Sequence, residues 1–352
     1  MDPLTHGLLG ATIGQGFGHT LGRKALFWGA LGSMLPDIDI ALIPFSGPMG
    51  EWTYHRGVTH SVLVGPLVAW GLAAFVSRFV DTPPCSPPRR GSEALGAARP
   101  RLWLALFLVA LLSHPLLDLC TTYGTQLLAP FSRHRFAVDA IAIMDPGYSL
   151  MFVIALLVAW RRGLASAPAR VAAALALALS TGYVLHGLGL NARAEAYARR
   201  QLRDEGVVSA EVKAYPTLLQ LYLRRVVVRE GGAVRVGWIS LWHPRPIAWE
   251  RFTVPEDPLV QAARQTAEGR LFEWFALGQT VGAVADSASG KVVEIDDLRY
   301  GFPARPQSGL WGIRVRFDSD GRPMGPVERV DHPLPAPARV LLAQIWRETF
   351  AP

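Results

Sequence analysis

The first half of the chain is a succession of apolar runs separated by short polar breaks, and the second half changes period. Ser61 to Ser77, Leu102 to Leu117 and Val171 to Ala192 each approach the ~20 residues that a helix needs to cross a bilayer. Pro146 to Trp160 is shorter but uncharged, and it ends at Arg161-Arg162. Near the N-terminus, Gly7 to Gly18 and Ala25 to Pro36 are apolar and rich in small residues, with Arg23-Lys24 between them. This predicts two short, closely packed helices, because glycines let backbones approach within a membrane. Gly91 to Pro100, preceded by Pro83-Pro84 and Pro87-Pro88, reads as a flexible polar linker. Further on, Val234, Val236 and Trp238 alternate with other residues, as do Trp311, Ile313, Val315 and Phe317 ahead of a turn at Asp320-Gly321. Such alternation marks strands. Asp257-Pro258 supplies an N-cap and a first-turn proline for a helix carrying Leu271, Trp274 and Phe275 near its end. The predicted fold is mainly α: a multi-pass membrane helical bundle over residues 1–191 and a soluble α+β domain over 192–352.

Charge follows the same division. Residues 1–191 hold nine Asp or Glu and thirteen Lys or Arg, against nineteen and twenty-two in residues 192–352. The net charge of +7 therefore splits into +4 and +3. No basic arm for nucleic acid emerges, and attraction to anionic lipid head groups accounts better for the balance. Cys85 and Cys120 form neither a disulfide framework nor a CxxC motif. No cleavable signal peptide is recognisable, since the first basic residues are Arg23 and Lys24.

Arginines in short loops set an orientation. Arg78, Arg89, Arg90, Arg99 and Arg101 lie in one loop, and Arg161, Arg162 and Arg170 in another. Both are expected on the cytoplasmic side of the inner (cell) membrane. Threading the chain accordingly places the 192–352 domain on the non-cytoplasmic side, although Arg133 and Arg135 then run against the rule.

The same threading brings a set of ionisable residues to the outer face. His6, Asp37, Asp39, His55, His60, His114 and Asp118 are concentrated in the most hydrophobic part of the chain. Imidazoles and carboxylates are the side chains that bind zinc and similar ions, and in apolar surroundings they are costly unless paired or metal-bound. His55 and His60 would diverge by about 140° on a continuous helix, so they should flank a loop or a helix start. His114 and Asp118 share a helical face, both as ligands or with the Asp orienting the His, although Pro115 intervenes. Asp37 and Asp39 in an extended turn would point apart, leaving one as ligand and one as ligand support or general base. The bland alternatives are exposed loop histidines, a hydrogen bond at a helix end, and helix capping. His19, His134, His186, His243 and His332 read as surface or packing residues. Asp139 and Asp145 suit either a substrate loop or structural turns. No GxSxG elbow, Walker-type loop, dinucleotide fingerprint or HExxH is present.

The stretches Met1-Asp2-Pro3-Leu4-Thr5-His6-Gly7, Leu35-Pro36-Asp37-Ile38-Asp39, His55-Arg56-Gly57-Val58-Thr59-His60-Ser61 and His114-Pro115-Leu116-Leu117-Asp118 resemble the YdjM-type family. Thr122-Tyr123-Gly124-Thr125-Gln126 and Pro130-Phe131-Ser132 extend the likeness, which covers residues 1–160. The resemblance implies a LexA-regulated inner-membrane protein labelled a metal-dependent hydrolase, with no substrate attached. More distantly, the pattern is similar to zinc-dependent phospholipase C and related nucleases, whose later His and Glu ligands this chain lacks.

The expectation is an integral-membrane hydrolase acting on a phosphoester or lipid-linked substrate. His6, Asp37, Asp39, His55, His60, His114 and Asp118 would bind a divalent metal, zinc first and manganese or magnesium as alternatives. Asp37 or Asp39 would act as base, and Arg56 would neutralise an anionic group. The alternative is a non-catalytic metal-binding or sensing protein with an interaction domain.

Overall fold

Asp2 opens the first helix by accepting the Thr5 N–H at 3.0 Å, with Pro3 at the first helical position. This helix, α1 (Pro3–Leu21), stops at Gly22, whose φ of 71° suits glycine. The computed structural model describes residues 1–81, 92–207, 210–254, 257–287 and 290–351. The chain folds as two units. The first comprises Met1–Leu42, Tyr54–Ala137 and Ile143–Leu185; the second comprises Ile43–Thr53, Val138–Ala142 and His186–Pro352.

In the first unit, α1 packs along α2 (Lys24–Met34) as its glycines predict. A β-carbon built at Gly10 would collide with the carbonyl of Gly29, and one at Gly14 with the carbonyl of Ala25. α2 runs into a 3-10 helix, Leu35–Phe45. After the short α3 (Gly50–Tyr54) and a 3-10 turn over Val58–His60 come α4 (Gly65–Phe75) and α5 (Ser92–Leu119). Asp81 accepts from Arg99 Nε at 2.7 Å and from Trp103 Nε1 at 2.8 Å, fixing α5 near its start. α6 (Pro146–Arg162) is capped by Asp145, and α7 (Ala167–Asp204) follows. Gln15 ties α1 to both, donating to the carbonyls of Ala155 at 3.0 Å and Ala169 at 2.7 Å.

Three helical stretches among the described residues are long and apolar enough to cross a membrane: Lys24–Phe45, Ala98–Leu119 and Ala167–Asp204. Gly50–His60 and Gly65–Val80, bent by 63°, add a fourth if they form one broken span. α6 has 17 residues and so falls short of that length.

The second unit holds two antiparallel four-stranded meanders. The first comprises β1 (Glu211–Pro216), β2 (Leu223–Glu230), β3 (Ala233–Ser240) and β4 (Glu250–Thr253). One face packs on Ala194, Ala198 and Leu202 of α7. Tyr215, Val227, Val234 and Val236 on the other meet Val281 and Leu298, so β2 is buried on both faces. The second meander, β5 (Thr280–Ser287), β6 (Gly290–Asp297), β7 (Trp311–Phe317) and β8 (Pro323–Asp331), contains the predicted Trp311–Phe317 alternation. Between the sheets lie α8 (Pro258–Gln265) and α9 (Ala267–Phe275), and α10 (Ala338–Phe350) follows β8. Trp52, from the Ile43–Thr53 segment, stacks on Phe275 at 5.3 Å and carries Arg329 at 4.9 Å.

Several expectations need correcting. Residues 92–100 are helical rather than linker: Glu93, Ala94, Leu95, Ala97 and Ala98 are good helix formers, and they outweigh Gly96 and Pro100. Pro83-Pro84 and Pro87-Pro88 lie outside the described residues. The helix expected from Asp257 onwards is two helices, because Thr266 is extended (ψ 161°) and caps α9 through the Gly269 N–H. Pro115 does not interrupt α5. The segment holding Asp37 and Asp39 is a 3-10 helix, not an extended turn.

Candidate metal centre

Four pieces of the first unit supply the site. α1 contributes His6, the 3-10 helix Asp37 and Asp39, the 55–60 segment His55, Arg56 and His60, and the end of α5 His114 and Asp118. His6, His60, His114 and Asp118 are completely buried. Asp37 and His55 keep slight exposure, at 9% and 14% of their side chains, so the cluster is reached from their side.

Four atoms converge. His60 Nε2 lies 3.0 Å from His114 Nε2. Asp37 Oδ1 is 3.3 and 3.4 Å from these two nitrogens, and Asp118 Oδ2 is likewise 3.3 and 3.4 Å away. Zinc bonds of 2.0–2.1 Å arranged tetrahedrally give ligand–ligand edges of about 3.3–3.4 Å. Four of the edges have that length and the His60–His114 edge is shorter, so the cluster could hold a metal ion.

The tautomers agree with that reading. His114 Nδ1 is 2.6 Å from the Ser33 carbonyl, which can only accept, so its proton sits on Nδ1 and Nε2 carries a lone pair. Thr59 spends its hydroxyl proton on Asp39 Oδ2 at 2.9 Å, and so accepts from His60 Nδ1 at 3.0 Å. With the His60 ring neutral, its Nε2 is also an acceptor. Two imidazole lone pairs and two carboxylate oxygens then face one another in a buried space. Such a quartet repels itself unless a proton or a metal cation lies among it, and the donor set could hold a metal ion.

The remaining residues hold this quartet in place. Asp39 sits on the far side of the His60 ring. It bonds His55 Nδ1 at 3.0 Å, the Arg56 backbone N–H at 3.1 Å and the Thr59 hydroxyl, organising the whole 55–60 turn. Asp39, His55 and His60 also form a second group with metal-ligand spacing. Asp118 turns its other oxygen to Arg56 Nη2 at 3.1 Å, to His6 Nε2 at 3.2 Å and to the Met1 α-amino group. His6 stacks on His114 at 3.6 Å, and its buried Nδ1 has no partner among the described residues. Arg56 adopts φ 60°, donates to Thr121 Oγ1 at 2.8 Å and lies 4.8 Å over the Tyr123 ring.

All seven expected ligands therefore gather in one place, and Arg56 joins them through Asp118 rather than with a free guanidinium. His114 and Asp118 share a face, as their spacing requires. Sequence reasoning passed over Ser33, Thr121 and Tyr123. Ser33 acts through its backbone carbonyl, which leaves no residue signature; Tyr123 could have been found as an aromatic partner for Arg56. Asp145 is structural: it caps α6 and accepts the Tyr183 hydroxyl at 2.9 Å. Arg135, which runs against the loop-charge rule, is buried and donates to the Gly124 carbonyl at 2.9 Å.

Over 136 residues the chain is 36% identical to the inner membrane protein YbcI of Escherichia coli (strain K12), covering 38% of this chain and 69% of that protein. Over 274 residues it is 25% identical to the uncharacterized protein YfhP of Bacillus subtilis (strain 168), covering 75% of this chain and 76% of that one. No solved structure matches. Residues 1–192, which contain every residue of the cluster, match the YdjM inner membrane protein family, and the chain belongs to that family.

Proposed function

We propose that this protein is a multi-pass membrane hydrolase that uses one divalent metal ion, with Asp37, His60, His114 and Asp118 as its ligands. The observation that carries the reading is the convergence of two imidazole nitrogens and two carboxylate oxygens, with each carboxylate oxygen at a tetrahedral edge length from both nitrogens. Structural zinc sites are typically rich in cysteine, whereas catalytic ones combine histidine with carboxylate. This set is entirely of the second kind. An ion held there would supply Lewis-acid polarisation of the scissile oxygen and a bound water with a pKa near ~7.

The chain's own residues have distinct tasks in this scheme. Asp39 orients His60 and His55, Arg56 locks Asp118 in place, and His6 backs the His114 ring. His55, the most exposed imidazole of the cluster, faces the approach and makes first contact with substrate. The substrate class that suits a polar site among apolar helices is a phosphoester or lipid-linked phosphate, and the second unit belongs on the non-cytoplasmic side. Zinc is the first choice of ion, with manganese or magnesium as alternatives.

One observation favours the sensing alternative: four protein donors already complete a tetrahedral shell, leaving no open position. The two readings separate in one experiment. Protein reconstituted into nanodiscs with zinc is assayed against a panel of phosphoesters and lipid-linked phosphates, with His114→Ala as the control. Turnover that disappears with the metal supports the hydrolase. A saturated metal site with no turnover across the panel supports the sensor, and no metal in the wild type removes both.

A further inference from the structure

α10 is apolar on two sides. Leu341, Ile345 and Thr349 are buried against the second unit, as one stripe of a surface helix should be. Its outer side is expected to be polar, yet Leu342 and Trp346 lie there 47% and 66% exposed. Trp242, from the loop after β3, adds a second indole at 52% exposure. The Phe350 ring stands between the indoles, 5.7 Å from Trp242 and 4.5 Å from Trp346. The patch is contiguous.

It is also held rigidly and rimmed by positive charge. The backbone N–H groups of Trp242 and His243 donate to Ser240 Oγ at 3.2 and 3.4 Å, and that hydroxyl donates to the Thr349 carbonyl at 2.6 Å. Arg245 reaches the Ala351 carbonyl at 3.3 Å, which fastens the loop to the end of α10. Beside the aromatics is a cleft of about 150 Å³ with His243, Arg245 and Arg347 among its lining residues, opposed by the single carboxylate of Glu348. Tryptophan settles at the head-group level of a bilayer, and arginine binds phosphate with a fork of donors.

We propose that this surface of the second unit docks on anionic phospholipid, with the two indoles and Leu342 in the interface and the lipid phosphate between Arg245 and Arg347. The charge decides for lipid over a second protein: exposed indoles beside paired arginines match a negative, apolar-backed surface. The inference is independent of the metal reading, since no residue of the cluster takes part.

The test uses the full chain with Cys85 and Cys120 replaced by Ser and an environment-sensitive fluorophore on Leu342→Cys. A second chain carries the label on Asp320→Cys, at the exposed β7–β8 turn. Both are reconstituted into vesicles of phosphatidylcholine, with and without phosphatidylglycerol. The expected result is quenching of the residue-342 label by spin-labelled lipid and protection from aqueous iodide, while the residue-320 label shows the reverse. Arg245→Gln combined with Arg347→Gln should abolish the dependence on phosphatidylglycerol, two arginines being worth roughly thirtyfold in surface partitioning. A residue-342 label open to iodide overturns the proposal. So does one shielded from both quenchers, which would mean that a protein or a second copy covers the patch. Unchanged quenching in the double variant overturns the role of the arginines.

Discussion

Asp118 and Asp297 are both completely buried carboxylates, one in each unit, and their surroundings differ in kind. Asp297 is closed off by Arg299, whose Nε and Nη2 reach its oxygens at 2.7 to 3.1 Å. Nearby, the buried Arg225 donates to the carbonyls of Leu298 and Pro306 at 2.9 and 2.7 Å, and burial lowers its pKa to about 10. Donors face acceptors here, Arg225 Nη1 excepted. Asp118 satisfies only one oxygen in that way and turns the other towards two imidazole nitrogens. The number of buried charges does not distinguish a structural network from a ligand site. The direction of the lone pairs does.

The contrast breaks first at the ligands. His60→Ala or His114→Ala should reduce bound metal from about one equivalent per chain to below about a tenth, as elemental analysis of reconstituted protein would read. Structural zinc sites in zinc-finger peptides bind with about 10–16 kcal/mol of apparent free energy, the scale against which the loss is read. Full retention of metal by either variant would remove that imidazole from the shell.

Asp297→Ala tests the other half. It leaves the Arg299 guanidinium buried without its carboxylate, which typically costs about 3–5 kcal/mol. The expected outcome is a lower denaturation midpoint for the second unit with metal content unchanged. Metal loss in parallel would show that the two charge systems are one.

The finest test is Asp39→Asn. If Asp39 orients His60 rather than binding the ion, metal affinity should weaken about 10–100-fold in a chelator competition without vanishing. An unchanged affinity would deny the orienting role, and abolished binding would make Asp39 a ligand.

How far the sequence revealed these features depends on where the information sits. Apolar runs announce helices because burial in lipid needs length and little else, and the seven ionisable residues stood out because such groups are costly there. Asp37 and Asp39 were read as one ligand and one support, but which takes which side was hidden, since that arises from the winding of a 3-10 helix around both sides of His60. The break between α8 and α9 rests on one threonine hydroxyl. The joining of Ile43–Thr53 to the second unit rests on where Trp52 finds aromatic partners, a long-range choice that no local pattern records.

The backbone contact between α1 and α2 has a consequence beyond packing. Gly10 sits one turn after His6, and α2 runs directly into the segment that carries Asp37. Because His6 stacks on His114 and reaches Asp118, the separation of these two helices acts through it as a calliper on the bite of the site, and glycine sets that separation to the closest value a backbone allows. Ions differ by only tenths of an ångström in the bonds they accept, about 2.0–2.1 Å for magnesium or for zinc with nitrogen and 2.3–2.6 Å for calcium. A methyl group at Gly10 would pry the calliper open against the Gly29 carbonyl. Gly10→Ala should accordingly shift the preference from small ions towards calcium in a two-metal competition, and an unshifted preference would show that the opposite ligands follow the helix. A shifted preference would mean that ion selectivity is written in residues that never touch the ion.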